Sequence, residues 1–318
     1  MAQYLIRRAL VNIPVLIGIT FLIFLFIELA PGDPLAFWVN PELGSNEQAM
    51  ALMRERMGLD KPFVIRYVRW LGQTLQGNLG FRFKNFEPVA AEIGARVQPT
   101  LLLIGTAMLF GTALGILLGV ISALRQYSLL DFSLTALAFL SVSLPAFFAG
   151  LGGLYLLGLK WNLLPIGGMN TAGMEGDVRD TAQHLILPAL ILSMGYVASM
   201  MRYTRSSMLE VMRQEYVITA RAKGLRERDV IYRHIFRNAL LPIVTVIGLN
   251  LPNLIGGAVF IETIFAWPGL GRLYVDGALS RDYPLVLGMA LVTSVMVLVA
   301  NLITDVAYAA VDPRIRYQ

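Results

Sequence analysis

The sequence EYVITARAKGLRERDVIYRHIFRNALLP, Glu215–Pro242, lies between two long apolar runs and carries six basic and three acidic residues. Its first part predicts a short helix that ends at Gly224, since glycine is common just after a helix C-terminus. A second helix is expected from about Glu227. Its apolar stripe consists of Val230, Ile231, His234 and Ile235. We call Glu215–Pro242 the charged loop.

The charged loop has two possible roles. Two helices joined at Gly224 would form a rigid protrusion with a small-residue tip of Ala220, Ala222 and Gly224, which suits insertion into a groove of a soluble partner. A loop that only binds anionic lipid headgroups would gain about 1 kcal/mol per basic residue. That second role explains the positive charge but leaves the three acids and the glycine unexplained. A nucleic-acid role fits poorly, because the segment is mixed in sign and held between apolar runs.

The composition is that of a membrane protein. Of 318 residues, 56% are hydrophobic and 15% are charged, whereas soluble domains have about 25% charged residues. The chain has no cysteine and two histidines, so no metal site is expected. No HExxH, GxSxG or GxxxxGK[ST] motif occurs, so we expect no catalytic residue and no enzymatic activity on this chain.

Six apolar stretches are long enough to cross a bilayer, which takes about 20 helical residues. The fourth is the shortest, and its helix is expected to begin near Pro188, because proline suits a first helical turn. The first is too long for a typical signal peptide and is interpreted as a retained anchor. The six stretches are Ala9–Ala30, Thr100–Ala123, Phe132–Leu159, Leu185–Met201, Leu240–Ile261 and Leu285–Ala309.

The basic residues predict the orientation. Fourteen Lys and Arg fall in the termini and loops of one side, four in the short loops of the other, and eight in the long segment 31–99. Short loops rich in Lys and Arg stay in the cytoplasm, so both termini and the charged loop are expected there. Trp161 and Trp267 then lie near the outer span ends, where an interfacial aromatic belt would place them.

Three parts are predicted along the chain: residues 1–30 with the first transmembrane helix, an extracytoplasmic helical segment 31–99, and a five-helix core 100–318 with a cytoplasmic loop at about 202–239. Segment 31–99 contains one helical pattern that ends at Gly58 and a second at Phe63, Tyr67, Trp70 and Leu71. We expect this segment to form a small helical cap. It either covers the spans or docks an external partner.

The spans are built for close packing and bending. Ala107, Gly111, Gly115 and Gly119 recur every four residues, which lets another helix approach closely. Pro145 and Pro252 favour kinks. Few ionisable residues occur in the spans, which argues against ion coupling. The uncharged candidates for a translocation path are Ser141, Ser143, Pro145, Ser193, Asn250 and Asn253.

Several stretches together resemble a known family. YVITARAKGLRERDVIYRHIFRNALLPIVTVIGL is similar to the cytoplasmic loop of ABC importer permeases, specifically the first (B-type) permease of the dipeptide/oligopeptide/nickel family. The resemblance extends along nearly the whole chain. It includes FLIFLFIELAPGDPL, MGLDKPFVIRYVRWLGQTLQGNLGFRF, VQPTLLL, SVSLPAFF, ETIFAWPGLGRL and YAAVDPRIRY.

The resemblance implies an all-α integral membrane protein of the type I ABC importer architecture, in the bacterial cytoplasmic (inner) membrane. It also implies that residues 216–225 form the coupling helix. The general loop signature E-A-A-x3-G would place glutamate at position 218, where this chain has Ile218. Glu215 and Arg221 are candidates for the role of that glutamate. The implied ATPase-binding residues are Glu215, Tyr216, Thr219, Ala220, Arg221, Ala222, Lys223, Gly224 and Leu225.

The implied function is ATP-driven, binding-protein-dependent import. The implied partners are a second, paralogous permease, two ATPase subunits that hold ATP and Mg²⁺, and an extracytoplasmic substrate-binding protein, with no cofactor on this chain. Peptides are the default substrate; nickel complexes, glutathione and oligosaccharides stay open. A stand-alone carrier or channel would instead transport without ATPases. An intramembrane enzyme or receptor subunit would need a catalytic constellation or a large soluble domain.

Overall fold

The computed structural model describes residues 2–29, 55 and 60–311, and for some helical residues, including 251–254, the backbone alone. The described residues form two compact units. The first contains residues 99–271 and 297–311, and the second contains residues 2–29, 55, 60–98 and 272–296. The first predicted helical pattern of the outer segment, which ends at Gly58, lies outside the described residues.

The described part is built from helices connected by turns and by the longer loops 76–88 and 161–177. The helices are α1 (Ala2–Leu29), α2 (Phe63–Leu75), α3 (Val89–Leu124), α4 (Leu129–Ser143), α5 (Ala146–Gly153), α6 (Val178–Met212), α7 (Glu215–Ala222), α8 (Glu227–Asp229), α9 (Arg237–Ile264), α10 (Leu270–Leu279) and α11 (Tyr283–Val311). Two π-helical stretches, Leu154–Lys160 and Val230–Phe236, extend α5 and join α8 to α9.

Among the described residues, four helices are long and apolar enough to cross a membrane: α1, α3, α6 and α11. The helix α4 and the extended α5 make a fifth crossing if the two form one bent span. The predicted stretch Leu240–Ile261 lies within α9.

The third predicted span is not one helix. It breaks at Leu144 and Pro145, and the axes of α4 and the extended α5 differ by 101°. Proline disfavours helical geometry in the residue before it, and Leu144 is extended, with ψ 120°. Pro145 then starts α5 as its N-cap residue. The expected kink is therefore a full break.

The fourth predicted span begins earlier than Pro188, so that expectation was wrong. The helix α6 starts at Val178, where the Asp177 side chain caps it by accepting a hydrogen bond from the Arg179 backbone N–H at 2.8 Å. Pro188 lies inside the helix. A carboxylate that satisfies a free N–H at the first turn is a stronger start signal than an internal proline.

The glycine ladder of α3 packs against α6. Gly111 faces the Tyr196 ring, Gly115 faces Met200, and Gly119 faces Thr204 and the Met201 carbonyl. A Cβ at any of these glycines would overlap its neighbour in α6. The predicted close helix approach is thus confirmed, and α6 is the partner.

The loop after α9 is held by Trp267, which is fully buried rather than part of an interfacial belt. Its indole Nε1 donates a hydrogen bond to the Pro99 carbonyl at 2.9 Å. The belt expectation was therefore wrong for Trp267, because a partner for its N–H lies inside the first unit. Trp161 is exposed.

Glu262 is a buried carboxylate at the end of α9, directly after the predicted span. It accepts hydrogen bonds from Thr100 Oγ1 and from the Gly271 backbone N–H, both at 2.6 Å. Thr100 Oγ1 in turn accepts one from the Leu270 N–H at 2.8 Å. These bonds connect the end of α9 and the start of α10 to the α3 residue Thr100.

In the second unit, α2 packs on α1. The Tyr67 hydroxyl donates a hydrogen bond to the Ile17 carbonyl and lies 3.0 Å from Thr20 Oγ1. Its ring makes edge contacts with Phe21 and Phe24, whose centroids lie 5.3 and 5.6 Å away. The predicted amphipathic helix at Phe63–Leu71 is confirmed, and its aromatic face contacts the first apolar helix.

Candidate functional site: the charged loop and an adjoining cavity

The helix α7 is anchored on an apolar cluster rather than standing free. Val217 and Ala220 are buried against Met208 of α6 and against Val230 and Ile235 of the π-helical stretch. The predicted apolar stripe of the second helix therefore contributes to this cluster. Ala220 does not belong to an exposed tip, as its sequence position suggested, because its small side chain lets α7 approach its neighbours closely.

The turn after α7 depends on Gly224, whose φ is +75°. Its N–H donates to the Arg221 carbonyl at 2.9 Å, and the Leu225 N–H reaches the Ala220 carbonyl at 3.4 Å. This pair of bonds is a Schellman motif, which ends a helix and needs a left-handed residue that glycine supplies at least cost. The predicted glycine stop is confirmed.

An ion pair bridges the turn. Arg221 donates two hydrogen bonds to the Glu227 carboxylate, at 2.6 and 3.2 Å. Hydrogen bonding to Arg221 lowers the pKa of Glu227 below its ordinary value, and the same bond raises the pKa of Arg221. Both side chains are exposed, so the pair contributes little to stability, although it connects α7 to the start of α8 across the turn.

The outward face of α7 and its turn is apolar at its centre and charged at its rim. Ile218 stands at the position where the family signature has glutamate, and 58% of its surface is exposed. Tyr216 and Leu225 are also exposed. The other exposed side chains of the predicted docking set are Glu215, Thr219, Arg221, Ala222 and Lys223.

A cavity of about 430 Å³ lies in the first unit where α4 and α5 break. It includes three of the six predicted path residues: Ser141, Pro145 and Asn250. Its walls are formed by α4, α5, α6 and α9. The lining consists of Ser141, Val142, Leu144, Pro145, Ala146, Ala149, Ile191, Leu192, Met194, Gly195, Tyr196, Arg202, Asn250 and Gly257.

The other three predicted path residues are placed differently. Ser143 is exposed at the end of α4 but does not line the cavity. Ser193 is buried, and its hydroxyl donates to the Leu190 carbonyl at 2.8 Å. The side chain of Asn253 lies outside the described residues.

Sequence reasoning missed a buried ion pair. Asp131 is 2% exposed and receives two hydrogen bonds from Arg205 of α6, both at 2.8 Å. Ser122 also donates to Asp131, as does the Tyr127 N–H at 3.0 Å. The sequence pattern places Arg205 among the basic residues of a loop and gives it no partner. The available signal was an aspartate at the boundary of an apolar stretch, where burial requires a partner.

Comparisons with known proteins identify the family. Residues 115–317 match the family described as binding-protein-dependent transport system inner membrane component, and residues 1–103 match its N-terminal part. The oligopeptide transport system permease protein AppB of Bacillus subtilis (strain 168) is 43% identical over 318 residues and covers 100% of both chains. The dipeptide transport system permease protein DppB of Escherichia coli (strain K12) is 40% identical over 339 residues, again with 100% of both chains covered.

A solved structure has a similar fold. A chain of the inward-facing MetNI methionine ABC transporter superposes with a TM-score of 0.53 at 16% identity, covering 69% of this chain and 96% of that one. At this identity the likeness shows the fold alone. By the family matches, which together span most of its length, the chain belongs to the binding-protein-dependent transport system inner membrane components, the multi-pass permease subunits of ABC importers.

Proposed function

We propose that this chain is one of two permease subunits that form the passage of an ATP-driven peptide importer. The observation that carries the proposal is the charged loop, which presents exposed Ile218 between charged residues on a helix anchored by its own apolar cluster. An apolar centre with a charged rim suits docking on a soluble subunit. The peptide substrate rests on the names of the relatives AppB and DppB.

The proposed topology has six spans, with α9 as the span after the charged loop and both termini in the cytoplasm. The uneven distribution of Lys and Arg supports this orientation. The three-part division at residues 30 and 99, with the coupling loop at about 202–239, belongs to the same proposal.

The proposed partners are a second, paralogous permease, two ATPase subunits and a substrate-binding protein. ATP and Mg²⁺ would be bound by the ATPases, and this chain would hold no cofactor and carry out no chemistry. ATP binding would draw the two charged loops together and favour one of two states of the passage. A ligand shifts such an equilibrium only by its difference in affinity for the two states. The charged loop would therefore have to keep its shape when the ATPases move, so that the difference in ATP binding reaches the passage.

The docking role is tested with Ile218→Lys in the complete importer, reconstituted with its ATPases and binding protein. A buried ammonium would oppose docking, so we expect the ATPases to be lost on purification and ATP-driven uptake of a radiolabelled dipeptide to fall at least about tenfold. Val178→Lys introduces the same charge at an exposed position at the other end of α6 and should leave ATPase recovery unchanged.

Two results would contradict the proposal. One is an Ile218→Lys importer that retains its ATPases and transports normally. The other is gradient-driven uptake by this chain alone in lipid vesicles, which would make it a stand-alone carrier.

A further inference from the structure

The cavity at the α4–α5 break contains one charged side chain, Arg202. Its guanidinium carbon lies 5.9 Å from the centre of the Phe139 ring, within the range of a cation–π contact. Among the described residues, no carboxylate lies within ion-pair distance of Arg202. Arg205, one turn further along α6, is by contrast bonded twice to Asp131. The two arginines of this turn thus differ in that only Arg205 has an internal counter-ion.

The remaining polar groups of the cavity offer hydrogen-bond acceptors. The Asn250 side-chain N–H₂ donates to the Val246 carbonyl at 2.7 Å, which leaves its Oδ1 for another donor. The Ser141 hydroxyl donates to the Leu137 carbonyl at 2.8 Å and keeps its lone pairs. No carboxylate is among the lining residues. The cavity therefore presents one cation and two hydrogen-bond acceptors, Asn250 Oδ1 and the Ser141 hydroxyl, between largely apolar walls.

This pattern complements a peptide. A peptide has a terminal carboxylate, which pairs with guanidinium through two parallel hydrogen bonds, and backbone N–H groups that can donate to Asn250 or Ser141. The volume of about 430 Å³ lies in the usual range of small-ligand sites, roughly 300–1,000 Å³. An uncharged oligosaccharide would offer the guanidinium, which is exposed, no counter-charge.

We propose that this cavity is a substrate site within the passage, where Arg202 binds the C-terminal carboxylate of the peptide. The site favours substrates with a free carboxylate over neutral sugars after the binding protein has made its own selection. The inference rests on the proposed importer function and adds to it a residue and a substrate class.

The first test measures the charge of the cavity without transport. The chain has no cysteine, so Val142→Cys introduces a single thiol in the lining, one helical turn from Phe139. In the assembled importer, an anionic methanethiosulfonate should label this thiol faster than a cationic one. Adding Arg202→Gln should lower the anionic-to-cationic rate ratio about tenfold, as expected for loss of a unit charge near a partly solvated site.

Two controls belong to this test. Arg125→Gln removes the same charge from an exposed position outside the lining and should leave the ratio unchanged. The thiol of Leu140→Cys, which is exposed but does not line the cavity, should show no dependence on Arg202. An unchanged ratio at Val142→Cys, or a thiol that neither reagent reaches, would overturn the proposal and indicate a surface covered by lipid or by the second permease.

The second test uses the tripeptide Ala-Ala-Ala and its C-terminal amide. The free acid should slow anionic labelling of Val142→Cys in the assembled importer, and the amide should not. Arg202→Gln should abolish this protection, and Arg202→Lys should restore part of it. Equal protection by acid and amide, or protection that survives Arg202→Gln, would overturn the carboxylate assignment.

Measuring uptake distinguishes a failure of the proposed peptide-import function from a failure of the inference about Arg202. If the wild-type importer shows no ATP-driven uptake of Ala-Ala-Ala, the proposed peptide function fails for this probe, and the labelling ratio still reports on the cavity. If the wild type transports and Arg202→Gln transports equally well with ATP hydrolysis unchanged, the importer function stands and the inference about Arg202 is wrong.

Discussion

At the scale of single residues, the structure buries a charged side chain next to a predicted membrane span. Glu262 has no exposed surface, although it directly follows a predicted membrane span. Its two oxygens accept hydrogen bonds from Thr100 and Gly271, which belong to other parts of the first unit. A buried carboxylate is tolerated only when its acceptors are satisfied, so the role of Glu262 is to connect chain segments.

Glu262→Gln should destabilise the protein. An amide replaces one carboxylate oxygen with a donor, which would then face the donor Thr100 Oγ1 or Gly271 N–H. We expect a loss of about 1–3 kcal/mol in unfolding free energy, measured as a lower Tm in detergent. Thr263→Val removes an exposed hydroxyl that donates to the Val259 carbonyl of its own helix, so it should change Tm little. Equal effects of the two substitutions would contradict the assignment.

At the scale of helices, the close approach of the α3 and α6 backbones depends on glycines in α3. Gly111, Gly115 and Gly119 lie on one face of α3, and the α6 residues opposite them fill the space that a Cβ would occupy. A Cβ at Gly105, in the same helix, would meet no described atom of a neighbouring helix within 4 Å. Within the described residues, glycine therefore has a packing role at three positions of α3 and none at Gly105.

Gly119→Ala should weaken this contact. Its Cβ would come within 2.7 Å of the Met201 carbonyl, and relief requires the backbones to separate, at an expected cost of about 1–3 kcal/mol. Gly105→Ala is the matched control and should be neutral or stabilising by up to about 1 kcal/mol. Thermal unfolding of both variants checks the order, and a Gly119→Ala protein as stable as Gly105→Ala would refute it.

At the scale of the whole molecule, the charged loop and the cavity both belong to the first unit, and α6 packs under the first and lines the second. This helix contributes Tyr196 and Arg202 to the cavity and Met208 to the apolar cluster under α7. Between these positions, Arg205 fixes α6 to Asp131 at the start of α4. Any movement of the charged loop is thus applied to a helix that also lines the proposed substrate site.

The Asp131–Arg205 pair should be strongly coupled. Removing one partner of a buried ion pair leaves the other charge uncompensated, so Asp131→Asn should cost about 3 kcal/mol. Arg205→Gln should cost more than that, because it leaves the buried carboxylate of Asp131 without its counter-ion, whereas the guanidinium left by Asp131→Asn is partly exposed and can be hydrated. The double substitution should cost at least about 1 kcal/mol less than the sum, as measured by thermal unfolding. Additive effects would show that the two residues act independently.

Hydrophobicity and local rules in the sequence by themselves determine much of this protein. Apolar runs predicted the long helices, because a bilayer requires about 20 apolar residues per crossing. The glycine at position 224 predicted the end of α7, since the left-handed turn is a property of one residue and its neighbours. The four-residue spacing in α3 predicted a flat face, because helical periodicity is local.

Only the tertiary structure decided which residues meet. Arg205 and Asp131 are 74 residues apart in sequence, and Glu262 and Thr100 are 162 apart. Nothing in local periodicity distinguishes the paired Arg205 from Arg202, which lies in the cavity. Ala220 and Trp267 are likewise buried, although their sequence context suggested surface positions. Such contacts depend on how helices pack, and packing is settled by the sum of many distant side chains rather than by the segment that carries each residue.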